Sequence, residues 1–146
     1  MNEMQNNKDV VRRIVEEYFN NRAKLDNVDQ YIDPNIQDHG IPQGMPNALD
    51  GFRNWVQMHL RAFPDGRFND IQVIGENDMI CVLSTFTGTQ KGEFCGIAPT
   101  NKRVRVYCVD LSRVRNGKVV EHWGGMDAMS LMTQIGVMPV SETVMG

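Results

Sequence analysis

The chain has 146 residues, 41% hydrophobic and 23% charged, with a net charge of -3 at neutral pH. That balance suits one globular domain with a real core, and it offers no basic surface for nucleic acid. No apolar run approaches the roughly 20 residues of a membrane span, and the polar start Met1-Asn2-Glu3-Met4 lacks the apolar stretch of a signal peptide.

The expectation is therefore a cytoplasmic protein, one domain over residues 1–146 with an ordered core from about 8 to 139. Cys81, Cys95 and Cys108 are odd in number, have no CxxC spacing and read as small hydrophobes. The three histidines do not cluster with them, so no metal site is expected.

In chain order, Val11, Ile14, Val15, Tyr18 and Phe19 recur at helical spacing and predict a helix over about 8–23. Residues 25–32 read as a short helix or turn that stops at Asp33-Pro34. Breaker residues predict a loop over 33–48, with Asp38-His39-Gly40 at its middle. A second helix over 49–62, with Asp50 as a plausible cap, buries Phe52, Trp55, Val56, Leu60 and the adjoining Phe63. His59 borders that face.

The period then changes to two. Strands are predicted over 68–74, 79–89, 103–114 and 118–123, with Asn116-Gly117 as a hairpin turn joining the last pair. Gly124-Gly125 ends the strand run, and residues 128–135 form a short helix. The tail from Val140 lacks periodicity and is expected to be mobile. Helices first and antiparallel strands after give an α+β class, with helices packed on one face of a curved sheet.

Several segments carry a resemblance: Phe63-Pro64-Asp65, Gly92 to Thr100, Arg113 to Trp123, Asp127, and Gln134-Ile135-Gly136. In this order and spacing the chain resembles the SnoaL-like polyketide cyclases, within the superfamily of nuclear transport factor 2 and ketosteroid isomerase. The resemblance implies a cone-shaped α+β barrel, in which a strongly curved antiparallel sheet and N-terminal helices enclose a cavity. It also implies intramolecular aldol ring closure without a cofactor. An acid/base aspartate just after the last strand matches Asp127. A polar loop residue matches His39, and a histidine of the long strand is replaced by Arg113.

On this reading Asp127 removes a proton from a carbon next to carbonyls and later returns it. That requires it to point into the cavity rather than cap its own helix. Met126, Met129 and Met132 would supply apolar surroundings. His39, Arg113, Tyr107 and Trp123 are the candidate hydrogen-bond donors for the oxyanion, and Trp55, His59 and Phe63 are further substrate contacts.

Alternation puts Tyr107, Val109, Leu111 and Arg113 on one strand face, and Val106, Cys108, Asp110 and Ser112 on the other. Asp110 is odd between two apolar residues and is expected to pair with an arginine at a sheet contact. His122 is kept as a cavity candidate whose face alternation does not assign. The competing functions are an epoxide hydrolase or dehydratase using Asp110, Arg113 and Asp127, and a non-catalytic binder of small molecules. Apolar residues on both faces of 79–86 point to a homodimer or homotetramer paired through the outer sheet face. The expected ligand is an apolar or aromatic polyketide-like molecule, with no nucleic-acid or membrane partner.

Overall fold

A computed structural model describes residues 2–41, 44–46 and 48–139. The expectation for the tail from Val140 falls outside the described residues. Helix α1 spans Glu3–Arg13 and is capped by the Asn2 side chain, which accepts the Gln5 amide proton. The periodic segment does not continue as an α-helix. It widens into a π-helix over Ile14–Asn20, with the Asn21 amide donating to the Glu16 carbonyl at 2.8 Å. Such widening is rare and recurs at functional sites. Here it turns Ile14, Val15 and Phe19 toward a cavity while Tyr18 is fully buried beside them. The Asn20 carboxamide lashes the end of this segment to the next sheet edge, accepting from the Phe68 amide and donating to the Phe68 carbonyl.

A 3-10 turn over Leu25–Gln30 leads into strand β1, Ile32–Asp38. This strand lies where the sequence predicts a loop. Pro34 has no amide proton to place in a ladder, but β1 is an edge strand, where proline is tolerated. It runs parallel to the last strand, with Asp38 opposite His122. Helix α2 spans Ala48–Ala62. Asp50 lies within its first turn, bonded to Arg53, rather than at the cap. Strands β2 (Arg67–Glu76), β3 (Met79–Thr89), β4 (Arg103–Arg115) and β5 (Lys118–Met126) follow in an antiparallel run. The sheet order is β1-β5-β4-β3-β2. Register shifts at Asn69/Gln72 and Arg113/Val114 bend it. Helix α3, Ala128–Gln134, packs back on β4 through Leu131. The Gln134 carboxamide there pairs with both backbone groups of Arg105.

The curved sheet and the helices enclose two joined aliphatic and aromatic cores, one around Ile14, Tyr18, Val56 and Val82, the other around Phe63, Phe86, Phe94 and Leu131. The fold is α+β, as the order of elements implies. Among the described residues no helix is long and apolar enough to cross a membrane.

Gly124 is set by close approach. Its φ is +94°, and a Cβ there would lie 2.2 Å from the Val109 carbonyl oxygen of β4. Gly124→Ala therefore pushes β5 away from β4. It is expected to lower the unfolding free energy by more than about 2 kcal/mol, read by urea denaturation.

Candidate active site

Alternation along β4 decides what faces inward. Val104, Val106, Cys108 and Val114 are buried, so Asp110 and Ser112, two and four residues beyond Cys108, point the same way. The cavity they face has a volume of about 100 Å³. Its wall is apolar: Ile14, Phe19, Ile36, Phe52, Trp55 and Phe68 are among the residues that form it. Three ionisable side chains meet on that wall, Asp38 from β1, His122 from β5 and Asp110 from β4.

His122 sits between the two carboxylates. Its Nδ1 lies 2.8 Å from Asp38 Oδ1 and its Nε2 lies 2.8 Å from Asp110 Oδ1. A carboxylate can only accept, so both ring nitrogens donate and the ring is an imidazolium. Burial opposes that charge. The hydrogen bonds and charges of Asp110 and Asp38 outweigh it and raise the His122 pKa to about 9. The Asp38 side chain is only 5% exposed, and its Oδ1 also accepts the Gly40 amide proton at 2.8 Å. Gly40 has to be small here, since a Cβ would come 2.8 Å from His122 Cε1. Among the described residues Asp110 engages His122 through Oδ1 alone, and its side chain is more open than that of Asp38. Two carboxylates and one imidazolium leave the cluster with one net negative charge against an apolar wall.

The expectation that Asp127 points into the cavity is not met. Its carboxylate accepts the Ser130 amide proton at 3.1 Å and caps α3, and the residue is exposed. A carboxylate bound to its own helix start is turned away from the cavity. Arg113 lies on the opposite face of β4 from Ser112, where it donates to Asp78 at 2.9 Å and to Glu121 at 3.4 Å. His39 is on that outer side too. It is half exposed, bonded to Glu121 at 2.9 Å and stacked on Trp123 with ring centroids 5.3 Å apart. Tyr107, 71% exposed, shares this face. None of the four expected oxyanion donors is part of the cavity wall.

The aromatic assignments divide. Trp55, His59 and Met126 line the cavity, whereas Phe63 is fully buried behind it, its ring 5.6 Å from that of His59. Asp110 pairs with His122, not with an arginine as expected. Asp110, Arg113 and Asp127, the trio a hydrolytic water would need, are not brought together. Sequence reasoning missed Asp38 as a site residue because residues 33–48 read as a loop. The inward placement of Asp110 was legible in its period with Val104, Val106 and Cys108.

A family model for SnoaL-like polyketide cyclase matches residues 8–135. The chain is 26% identical over 121 residues to the nogalonic acid methyl ester cyclase of Streptomyces nogalater, covering 80% of this chain and 88% of that one. Among solved structures it resembles AclR, a hydroxylase candidate of Streptomyces galilaeus, with a TM-score of 0.79 and 27% identity. That match covers 98% of this chain and 89% of AclR. IdmH, a polyketide cyclase candidate of Streptomyces antibioticus, matches with a TM-score of 0.73 and 26% identity, covering 90% and 99% of the two chains.

The His122 proton gives a direct check of the cluster. With a folded pKa above its ordinary 6.5, the ring adds stability that is fully present below about pH 6.5 and is lost as pH rises through about 9. Imidazole NMR should show His122 titrating near pH 9. The fall in unfolding free energy between these pH values should be smaller in His122→Gln. A midpoint at or below 6.5 contradicts the double carboxylate contact. The matched family model, the curved α+β sheet and its enclosed cavity make the chain a member of the SnoaL-like polyketide cyclase family.

Proposed function

We propose that the protein is a cyclase that closes a ring in an apolar polyketide-like substrate by an intramolecular aldol reaction, with Asp110 as the acid/base group. The observation that carries this reading is the Asp38–His122–Asp110 cluster, set in a mostly apolar cavity. Asp110 takes a proton from a carbon flanked by carbonyl groups. The enolate attacks a second carbonyl carbon and forms the new carbon–carbon bond. The resulting alkoxide recovers the proton from the Asp110 carboxyl. The His122 imidazolium stands next to the developing negative charge and stabilises it through each step, a role of fixed positive charge that is strongest where water is excluded. Asp38, nearly buried, holds the ring's other nitrogen and so sets its direction. Asp38 and His122 thus act together, one orienting and the other stabilising.

The Streptomyces nogalater relative is a cyclase of nogalonic acid methyl ester, and that ester is the first substrate to offer. Aldol closure conserves mass, so product is read as a new chromatographic peak of unchanged mass. Asp110→Asn should lower turnover by on the order of 10²–10⁴, the usual share of a general acid/base group. Asp127→Asn, which keeps a good helix cap, should leave turnover close to wild type. The reverse pattern would sink the assignment of Asp110.

The outer sheet face supports pairing with a second copy. Ile74, Leu83, Tyr107 and Val109 are 59%, 37%, 71% and 49% exposed and spread over β2, β3 and β4. A contiguous apolar face of this kind suits the self-complementary contact of a two-fold dimer. Sedimentation should give a dimer at micromolar concentration, and Val109→Glu should shift it to monomer. A wild-type monomer would defeat this expectation.

A further inference from the structure

The polar cluster is not the only polar group on the cavity wall. His59, from α2, is 2% exposed, and its Nε2 is buried with no hydrogen-bond partner among the described residues. Its ring lies among aromatic rings, 4.7 Å from Phe86, 5.5 Å from Phe19 and 5.7 Å from Phe68, measured between centroids. Burial first, and then the charge of Arg22, hold its pKa down at about 3, so the ring is neutral at any working pH. A neutral imidazole offers one N–H and one lone pair. Leaving either unpaired in an apolar wall costs about 1–3 kcal/mol. A side chain with only a packing role would be better as Phe, which has similar volume and no such cost.

His59 also sits far from the reacting cluster. It packs on Phe68 of β2 and Phe86 of β3, whereas Asp38 and His122 lie on β1 and β5, at the other side of the sheet order. Along β4, Val106 opposes Phe86 and Asp110 lies four residues further on, roughly 13 Å at strand rise. The inward β4 residue between them is the buried Cys108.

Resting on the cyclase reading, we infer that the cavity recognises its ligand at two separated poles. At the second pole the His59 imidazole, part of the cavity wall, hydrogen-bonds a neutral oxygen, a hydroxyl or a ketone, on the end of the ligand remote from the reacting carbon. The substrate class is thereby narrowed to elongated, flat, apolar molecules with a polar atom at the far end. A carboxylate at that end is disfavoured, because the neutral ring cannot supply a compensating charge and the surroundings are apolar. His59 is then a specificity-determining residue that takes no part in proton transfer.

The test uses unreactive probes, so it does not depend on turnover. 2-Naphthol and naphthalene, which differ by one hydroxyl, are titrated into the full protein at pH 7 and followed by calorimetry and by nitrogen NMR of the imidazoles. 2-Naphthol should bind about tenfold tighter than naphthalene, as one neutral hydrogen bond allows. It should also move a ring-nitrogen resonance of His59, which naphthalene leaves in place. In His59→Phe the preference should fall to near unity with naphthalene binding retained, and in His59→Gln it should partly return. A preference unchanged in His59→Phe, or a His59 resonance indifferent to 2-naphthol, overturns the inference alone. If neither probe binds the wild-type protein, the reading of the cavity as a polycyclic-ligand site falls, and this inference with it.

Discussion

The imidazolium of His122, held at 2.8 Å from a carboxylate on either side, is the interaction on which the rest of the site depends. It joins three strands adjacent in the sheet, the β4–β5 hairpin and β1, whose Asp38 lies 84 residues before His122. Without it, Asp38 and Asp110 would be two anions in an apolar cavity, and each would have to be protonated or left exposed to water. With it, one negative charge is cancelled and the other is kept. The backbone serves that contact directly. β1 runs parallel beside β5 so that Asp38 comes opposite His122, and Gly40 leaves room for the ring.

The two faces of β4 divide the chemistry from the surface. The inward face carries Cys108, Asp110 and Ser112, and burial beside Asp110 raises the Cys108 thiol to about 12, so it remains an inert thiol in the wall. The outward face carries Tyr107, Val109 and Arg113, where the guanidinium is pinned between Asp78 and Glu121. The outer aromatic and ionic cluster of His39, Trp123, Glu121 and Arg113 is internally satisfied. It is a surface feature and needs no ligand to explain it.

Much of the fold was legible in the sequence because its signals are periodic and local. Strand 79–89, the Asn116-Gly117 hairpin and the second helix all follow from alternation, turn chemistry and an apolar stripe. β1 was not legible, since a parallel edge strand containing Pro34 and flanked by breakers gains its order from β5, over eighty residues away. The site suffered from the same cause. Asp127 looked catalytic by its place after the last strand, yet the local competition between capping and pointing inward is settled by the amides of α3. Asp110 and His122 were each noticed and meet across the β4–β5 hairpin, but the arrival of Asp38 beside them is a property of strand order.

The outward position of Arg113 bears on reactivity more than any inward residue that was expected. An arginine in the cavity would cancel the second carboxylate. The cluster would become neutral overall, with no carboxylate in excess of its cations. With Arg113 on the far face of β4, the inner wall keeps one carboxylate in excess over its cation. An apolar ligand filling the cavity would expel water and weaken the screening of that charge, which on the proposed mechanism would ease proton transfer to Asp110. An ammonium group entering beside Asp110 would quench the excess carboxylate, as an inward arginine would, so the proposed mechanism favours neutral substrates.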